Sequence, residues 1–241
     1  HAQYLARGGS LDALIAELYG RATGCCGGLG GSMHIVDESA GFMGAFPIVG
    51  DACSIATGAA FALQRDGTGR RAVVFSGDAT PETGQFWECL NFAALWRLPI
   101  LYVIEDNLYA TQTPLWQRQS PVPLGERVAP FLLYHEMDDS RVAEVAAVAG
   151  RLLGRLPALL HIHTYRYRKH VGPEYDWDLG YRSREEVESH MAHDPVMDAR
   201  LSLLRDGRGP SVEAMEQDVR RQVHEAFERA ERAPWPSMGS R

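Results

Sequence analysis

Two apolar runs of strand length, Arg71-Ala72-Val73-Val74-Phe75 and Ile100 to Ile104, each lead within a few residues into a polar cluster: Gly77-Asp78-Ala79 after the first, Asp106-Asn107-Leu108-Tyr109 after the second. The stretch between them, Gly84 to Trp96, is apolar nearly all round, as a helix buried against a parallel sheet is, and Pro99 stops it. A strand, a buried helix and a second strand at this spacing predict a parallel crossover. The polar clusters then fall at the carboxyl ends of successive strands, where open α/β sheets place their ligands. Asp78 offers a carboxylate there and Asn107 an amide carbonyl, and main-chain carbonyls in the turn beyond Asn107 add more oxygens. Mg²⁺ takes such a set in octahedral array, with phosphate oxygens completing it.

The 241 residues, 45% of them apolar, suffice for a full core, and one α/β domain spanning 1–241 is expected, with a helical C-terminal part from about 183. A net charge of −7 argues against nucleic acid as the main partner, since phosphate binding calls for a basic stripe. No apolar stretch approaches about 18 residues, so no membrane span is indicated. Cys25, Cys26, Cys53 and Cys89 form no C-x-x-C pair and give no disulfide framework, which suits buried thiols in a reducing cytoplasm. The start at His1 shows neither a methionine nor a signal segment, and the chain reads as clipped at its front.

Further along, Ser10 to Tyr19 repeats Leu11, Leu14, Ile15 and Leu18 at helical spacing, with Ser10 as the cap. Gly24 to Gly31 is glycine-rich loop without the G-x-G-x-x-G spacing of a nicotinamide-binding turn. Asp51 to Gln64 predicts a small-residue buried helix, Pro114 to Pro130 a loop, Ser140 to Leu153 a helix, and Ala158 to Tyr165 a third strand. Lys169 to Tyr181 reads as loop, and Ser211 to Arg232 as an amphipathic helix ended by Pro234 and Pro236.

With these residues in view, the chain resembles the alpha subunit of the thiamine-diphosphate-dependent 2-oxo acid dehydrogenases, the E1 component of pyruvate, acetoin and branched-chain complexes. The family motif Gly-Asp-Gly, a spacer, then Asn-Asn, is matched here by Gly77-Asp78-Ala79 and Asp106-Asn107. Leu5 to Gly9, Ala16 to Gly20, Gly30 to His34, Ile48-Val49-Gly50, Ala56 to Ala60, Leu90 to Pro99, Thr164 to Arg168 and Tyr181 to Glu186 are also similar to that subunit, in order, almost end to end.

The resemblance implies a thiamine-diphosphate-binding fold, with Mg²⁺ held by Asp78, Asn107 and the Tyr109 carbonyl. It places Val49, Gly77, Asp78, Ala79, Thr80, Asn107 and His170 against the cofactor, and makes His170 the active-site histidine, with His34 a second candidate toward the substrate. It implies decarboxylation of a 2-oxo acid, with the acyl group passed to a lipoyl-bearing acyltransferase or another acceptor. The glutamate that activates the cofactor comes from a beta-type subunit, so an α₂β₂ assembly is expected, with Ala56 to Ala60 and Gly27 to Gly31 as close-approach surfaces. In the family, an N-terminal helical region with a cofactor-contacting Tyr-Arg pair precedes the point matching His1. A transketolase-like thiamine enzyme and a non-catalytic subunit that kept the fold are the alternative readings.

Three positions depart from the pattern. Ala79 replaces a glycine and points a β-carbon toward the diphosphate; Asp106 replaces the first asparagine and adds negative charge beside the metal; Val171 to Trp177 stands where a serine-rich loop would be, so kinase control there is not expected. Two histidine pairs remain. His161 and His163 alternate on one strand face, and His190 and His193 are spaced for one helical face, but no cysteine or carboxylate framework completes either set, and no metal role is expected of them.

Overall fold

The computed structural model describes residues 1–139 and 141–237, and the chain divides into two compact units, His1–Pro47 with the chain from Leu203 onward, and Ile48–Ser202. In chain order the helices are α1 (Ala2–Ala6), α2 (Leu11–Leu18), α3 (Asp51–Asp66), α4 (Gly84–Trp96), the short α5 (Leu115–Arg118) and α6 (Leu124–Val128), α7 (Val142–Leu153), α8 (Arg184–Met191), α9 (Pro195–Arg205) and α10 (Gly209–Arg232). The strands are β1 (Ala72–Gly77), β2 (Ile100–Asp106), β3 (Tyr109–Ala110), β4 (Thr113–Pro114), β5 (Leu133–Asp138) and β6 (Ala158–His163).

The second unit is an α/β sheet of parallel strands in the order β1-β2-β6-β5, flanked by helices, as expected. Its two faces follow from the period of two along each strand. On one, Val74, Tyr102, Ile104 and Leu159 pack with Phe86, Leu90 and Ala93 of α4 and with Cys53 and Ala60 of α3. On the other, Leu101, Val103, Ala158 and Leu160 meet Val148 and Leu152 of α7. Helix α3 runs two residues beyond the expected Gln64 and ends at Gly67, whose φ of 68° needs a glycine. Helix α4 ends in a left-handed Arg97 just ahead of Pro99.

Three points differ from the sequence reading. The sheet has a strand that periodicity did not reveal, β5, because Leu133 to Asp138 mixes polar and apolar residues on both faces and sits at a sheet edge where burial is partial. The stretch Pro114 to Pro130 is not loop throughout, since α5 and α6 lie in it. The helix expected from Ser140 begins at Val142 in the structure, and Ser140 itself lies outside the described residues.

In the first unit, α2 is capped by Ser10, whose hydroxyl accepts from the Ala13 N–H. Ile15 and Ala16 of α2 pack on Ala226 and Ala230 of α10. The glycine-rich loop has a specific job: Glu17, fully buried, accepts main-chain N–H groups from Cys26 (2.8 Å), Gly28 (2.9 Å), Gly30 (2.6 Å) and Gly31 (3.1 Å). Gly28 reaches it with φ +78° and no room for a β-carbon beside Gly20. Cys53 and Cys89 are buried as expected, whereas Cys25 and Cys26 are only half-buried; all four are free thiols. Among the described residues, no helix is long and apolar enough to cross a membrane.

Candidate functional site

The parallel register of β1 and β2 sets Gly77 opposite Glu105, which brings Asp78 level with Asp106 at the carboxyl ends of the two strands. Asp78 is buried. Its carboxylate accepts from the Arg118 guanidinium, which also reaches Glu82, and its main-chain carbonyl accepts from Gln119 Nε2 at 2.6 Å. Burial pushes the Asp78 carboxyl above the usual aspartate range in spite of Arg118, and the nearby charge of Asp106 pushes the same way. The buried carboxylate therefore has less positive charge around it than its ionised form needs. Ala79 sits in ordinary right-handed backbone (φ −78°, ψ −16°), so alanine costs no backbone strain at a position where the family has glycine. Thr80 is buried and starts the short 3-10 turn Thr80–Glu82 that leads into α4.

The second cluster is a strained turn held by its own side chains. Leu108 has φ 72°, unusual for a residue with a branched side chain. Two successive side-chain bonds hold it there: Asp106 Oδ1 accepts from the Leu108 N–H at 2.9 Å and Asn107 Oδ1 from the Tyr109 N–H at 3.2 Å. Strain of this kind persists where the surroundings fix it, commonly at ligand sites. Tyr109 is buried, and its hydroxyl donates to Glu186, which also accepts from Tyr165, both at 2.7 Å.

Asp106 does not stand as a free charge beside Asn107. Its Oδ2 lies 3.0 Å from His161 Nε2 and 3.6 Å from His163 Nδ1. Burial alone would raise its pKa, but the bonds from His161 and the Leu108 N–H outweigh burial and hold it below the usual range. The expectation that no carboxylate framework completes the His161/His163 pair is therefore wrong: Asp106 comes from the neighbouring strand, and Glu136 Oε1 of β5 lies 2.6 Å from His163 Nε2. Spacing along one strand could not reveal partners from two others. His190 and His193 do not share a helical face, because α8 ends at Met191; His190 instead stacks on Tyr165 with ring centroids 3.8 Å apart.

His170 is exposed on the loop after β6, and among the described residues its ring has no hydrogen-bonding partner. The loop itself is fixed. Arg182, buried, donates to the main-chain carbonyls of Arg166 (2.5 Å), Tyr167 (3.4 Å) and Arg168 (3.1 Å) ahead of His170, and to Asp176 Oδ1 beyond it. Tyr181 donates to the other Asp176 oxygen. Val49 is exposed just before α3, where its carbonyl accepts from Gln85 Nε2 at 3.3 Å. His34 is exposed and belongs to the first unit. Sequence reasoning missed Arg118, Asp176 and Arg182; only Arg182 carried a signal, inside the family-like run Tyr181 to Glu186.

Residues 1–238 match the family model described as "Dehydrogenase E1 component". The chain is 35% identical to "Pyruvate dehydrogenase E1 component subunit alpha" of Rickettsia bellii, over 98% of this chain and 74% of that relative. It is 37% identical to the protein of that name from Zymomonas mobilis, over 98% of this chain and 68% of the relative. With "Pyruvate dehydrogenase E1 component subunit alpha-3, chloroplastic" of Arabidopsis thaliana it shares 34% identity over 98% of this chain and 58% of the relative.

Proposed function

The chain belongs to the dehydrogenase E1 component family, and from that premise we propose how its residues serve as the alpha-type subunit of a thiamine-diphosphate-dependent 2-oxo acid dehydrogenase. Mg²⁺ is held by the Asp78 carboxylate, the Asn107 amide oxygen and the Tyr109 main-chain carbonyl. Thiamine diphosphate supplies a carbon nucleophile and an electron sink, which together allow a 2-oxo acid to lose carbon dioxide.

The observation that carries this reading is the Asp78 carboxylate: buried, raised in pKa, and facing a guanidinium as its cation. A hard divalent ion fits the set of carboxylate, amide and carbonyl oxygens. Asp78 would hold such an ion through its carboxylate, with Arg118 still paired to Glu82. Asn107 is oriented for this by its bond from the Tyr109 N–H. Gly77, Ala79, Thr80 and Val49 line the path of the diphosphate, and Ala79 is accommodated there because its backbone is unstrained. His170, on a loop fixed at both ends, donates a hydrogen bond to phosphate or to the reacting oxygen, where a positioned donor lowers the barrier. His34 is the second candidate toward the substrate.

The cofactor site is completed by a beta-type subunit in an α₂β₂ assembly, and the acyl group leaves to a lipoyl-bearing acyltransferase. Pyruvate is the substrate in the names of the relatives, and a short 2-oxo acid is the class we assign here. The edge strand β1 exposes Val73 and Phe75, and Ile55, Leu95 and Trp96 are exposed on α3 and α4. An uncovered edge with apolar side chains is a natural interface. The free thiols suit a reducing, cytoplasmic setting.

The test is isothermal titration of the chain co-expressed with its beta-type partner. Mg²⁺ and thiamine diphosphate bind together in the wild type, and Asp78→Ala abolishes joint binding. Unchanged cofactor affinity in that variant removes the assignment.

A further inference from the structure

The three strands that end beside Asn107 carry a second constellation. On β6, His161 and His163 point to one face, with ring centroids 4.4 Å apart, and Asp106 of β2 is the register partner of His163. One ligand atom from each of the three lies within 4.8 Å of the other two.

The proton positions follow from the neighbours. Tyr134 donates its hydroxyl proton to Glu136 Oε2 at 2.7 Å, so its oxygen accepts from His161 Nδ1 at 2.8 Å. His161 Nε2 therefore faces Asp106 either with a proton it shares with the carboxylate or, in the neutral ring, with a lone pair open to a metal ion. On the other side His163 Nε2 donates to Glu136 Oε1 at 2.6 Å, so in the neutral ring the lone pair of His163 sits on Nδ1. Glu136 thus fixes the tautomer of both rings, and the Leu108 N–H fixes the remaining oxygen of Asp106. In the neutral rings two imidazole lone pairs and one carboxylate oxygen converge, an arrangement that calls for a cation, either a proton shared with Asp106 or a metal ion.

We infer that Asp106, His161 and His163 bind a first-row transition-metal ion of the Zn²⁺ type, at a site separate from the oxygen set of Asp78 and Asn107. The separations fit. Bonds of about 2.0–2.2 Å in tetrahedral array put ligand atoms about 3.3–3.5 Å apart, and Asp106 Oδ2 is 3.0 Å and 3.6 Å from the two nitrogens. Two imidazoles and a carboxylate suit Zn²⁺ over Mg²⁺, which prefers oxygen. Outer partners that hold the far nitrogen of each ligating histidine are a regular part of such sites, and here Tyr134 and Glu136 fill that role. His163 is 38% exposed in its side chain, which gives the ion a way in and leaves a coordination position open. The ion ties the ends of β2 and β6 together immediately before the strained turn that aims Asn107.

The test uses the full chain co-expressed with its partner, stripped with chelator and held in excess Mg²⁺. Titration with Zn²⁺ gives one saturable equivalent, and Co²⁺ gives a visible absorption band that chelator removes. His163→Ala, a half-exposed position, loses the band and weakens Zn²⁺ binding at least tenfold. Glu136→Gln, which leaves all three ligands in place, weakens it about 10- to 100-fold. No Co²⁺ band in the wild type, or Zn²⁺ affinity unchanged in both variants, overturns the site and leaves a proton holding the cluster together.

Discussion

The second unit contains two buried arginine–aspartate pairs, Arg118–Asp78 and Arg182–Asp176, alike in chemistry and opposite in state. Both are nearly closed to solvent, with side-chain exposures of 8% and 4% for the first and 0% and 2% for the second. Burial raises the pKa of each aspartate. At Asp176 it is overcome by Tyr181 and the doubly bonded Arg182, with Arg166 adding charge, and the carboxyl ends below its usual range. At Asp78 burial wins: Arg118 is shared with Glu82, Asp106 opposes, and the carboxyl ends above its usual range. A pair whose every atom has a fixed partner acts as a lock. A pair that leaves its carboxylate short of positive charge can gain from one more cation, and that is the pair on which the proposed cofactor site rests.

The largest effect that could break this contrast is on stability. Arg182→Ala takes both bonds from Asp176 Oδ1, leaving Asp176 only Tyr181 and the longer Arg166 pair, and frees three carbonyls ahead of His170; removing one partner of a buried pair costs about 3–5 kcal/mol. Chemical denaturation of the variant against wild type measures it; a loss below about 1 kcal/mol would show that the loop is held by something else. Next in size is His170→Ala, which should lower turnover roughly 10²-fold through loss of a transition-state donor, with thermal stability unchanged because the ring is exposed. Full activity in the assembled enzyme would make His170 an ordinary loop residue. Smaller again is Asp78→Asn without added metal. Glu82 keeps Arg118 paired, so the loss should stay near 1 kcal/mol, the range of a single net hydrogen bond, even though the same variant cannot hold Mg²⁺ well. A stability loss equal to that of Arg182→Ala would erase the distinction between lock and site.

The same contrast explains what could be read from the sequence. The strand-end motif and the buried helix α4 were legible because both signals are local: an apolar run followed by Gly-Asp, or an all-round apolar stretch of one helix length. Strand β5 was not, because half its residues face solvent or the polar cluster, so it lacks a clean period. Asp78, Asn107 and Tyr109 came from their place in the motif. Arg118 and Asp176 did not, since each takes its role from a residue 40 and six positions away, respectively, across turns whose path only the folded chain defines. The His161/His163 pair shows the same limit most sharply. Its spacing was visible, while the carboxylates that give it meaning arrive from β2 and β5 through parallel pairing.

The smallest predicted effect is the most discriminating, because it has opposite signs at the two pairs. Asp176 has a folded pKa below its unfolded value near 3.9. Its ionisation therefore contributes stability that is fully present above that value and is lost as pH falls through the folded pKa. Asp78 has a folded pKa above the unfolded one, so its contribution is present below about 3.9 and is lost as pH rises through the folded value. Denaturation of wild type, Asp176→Asn and Asp78→Asn without Mg²⁺, from about pH 3 to pH 7, separates these terms, since asparagine titrates in neither state. On raising the pH, the advantage of wild type over Asp176→Asn should grow, while its advantage over Asp78→Asn should shrink. Parallel slopes would mean that Arg118 satisfies Asp78 as fully as Arg182 satisfies Asp176. The electrostatic reason for placing a divalent cation at the end of β1 would then be gone.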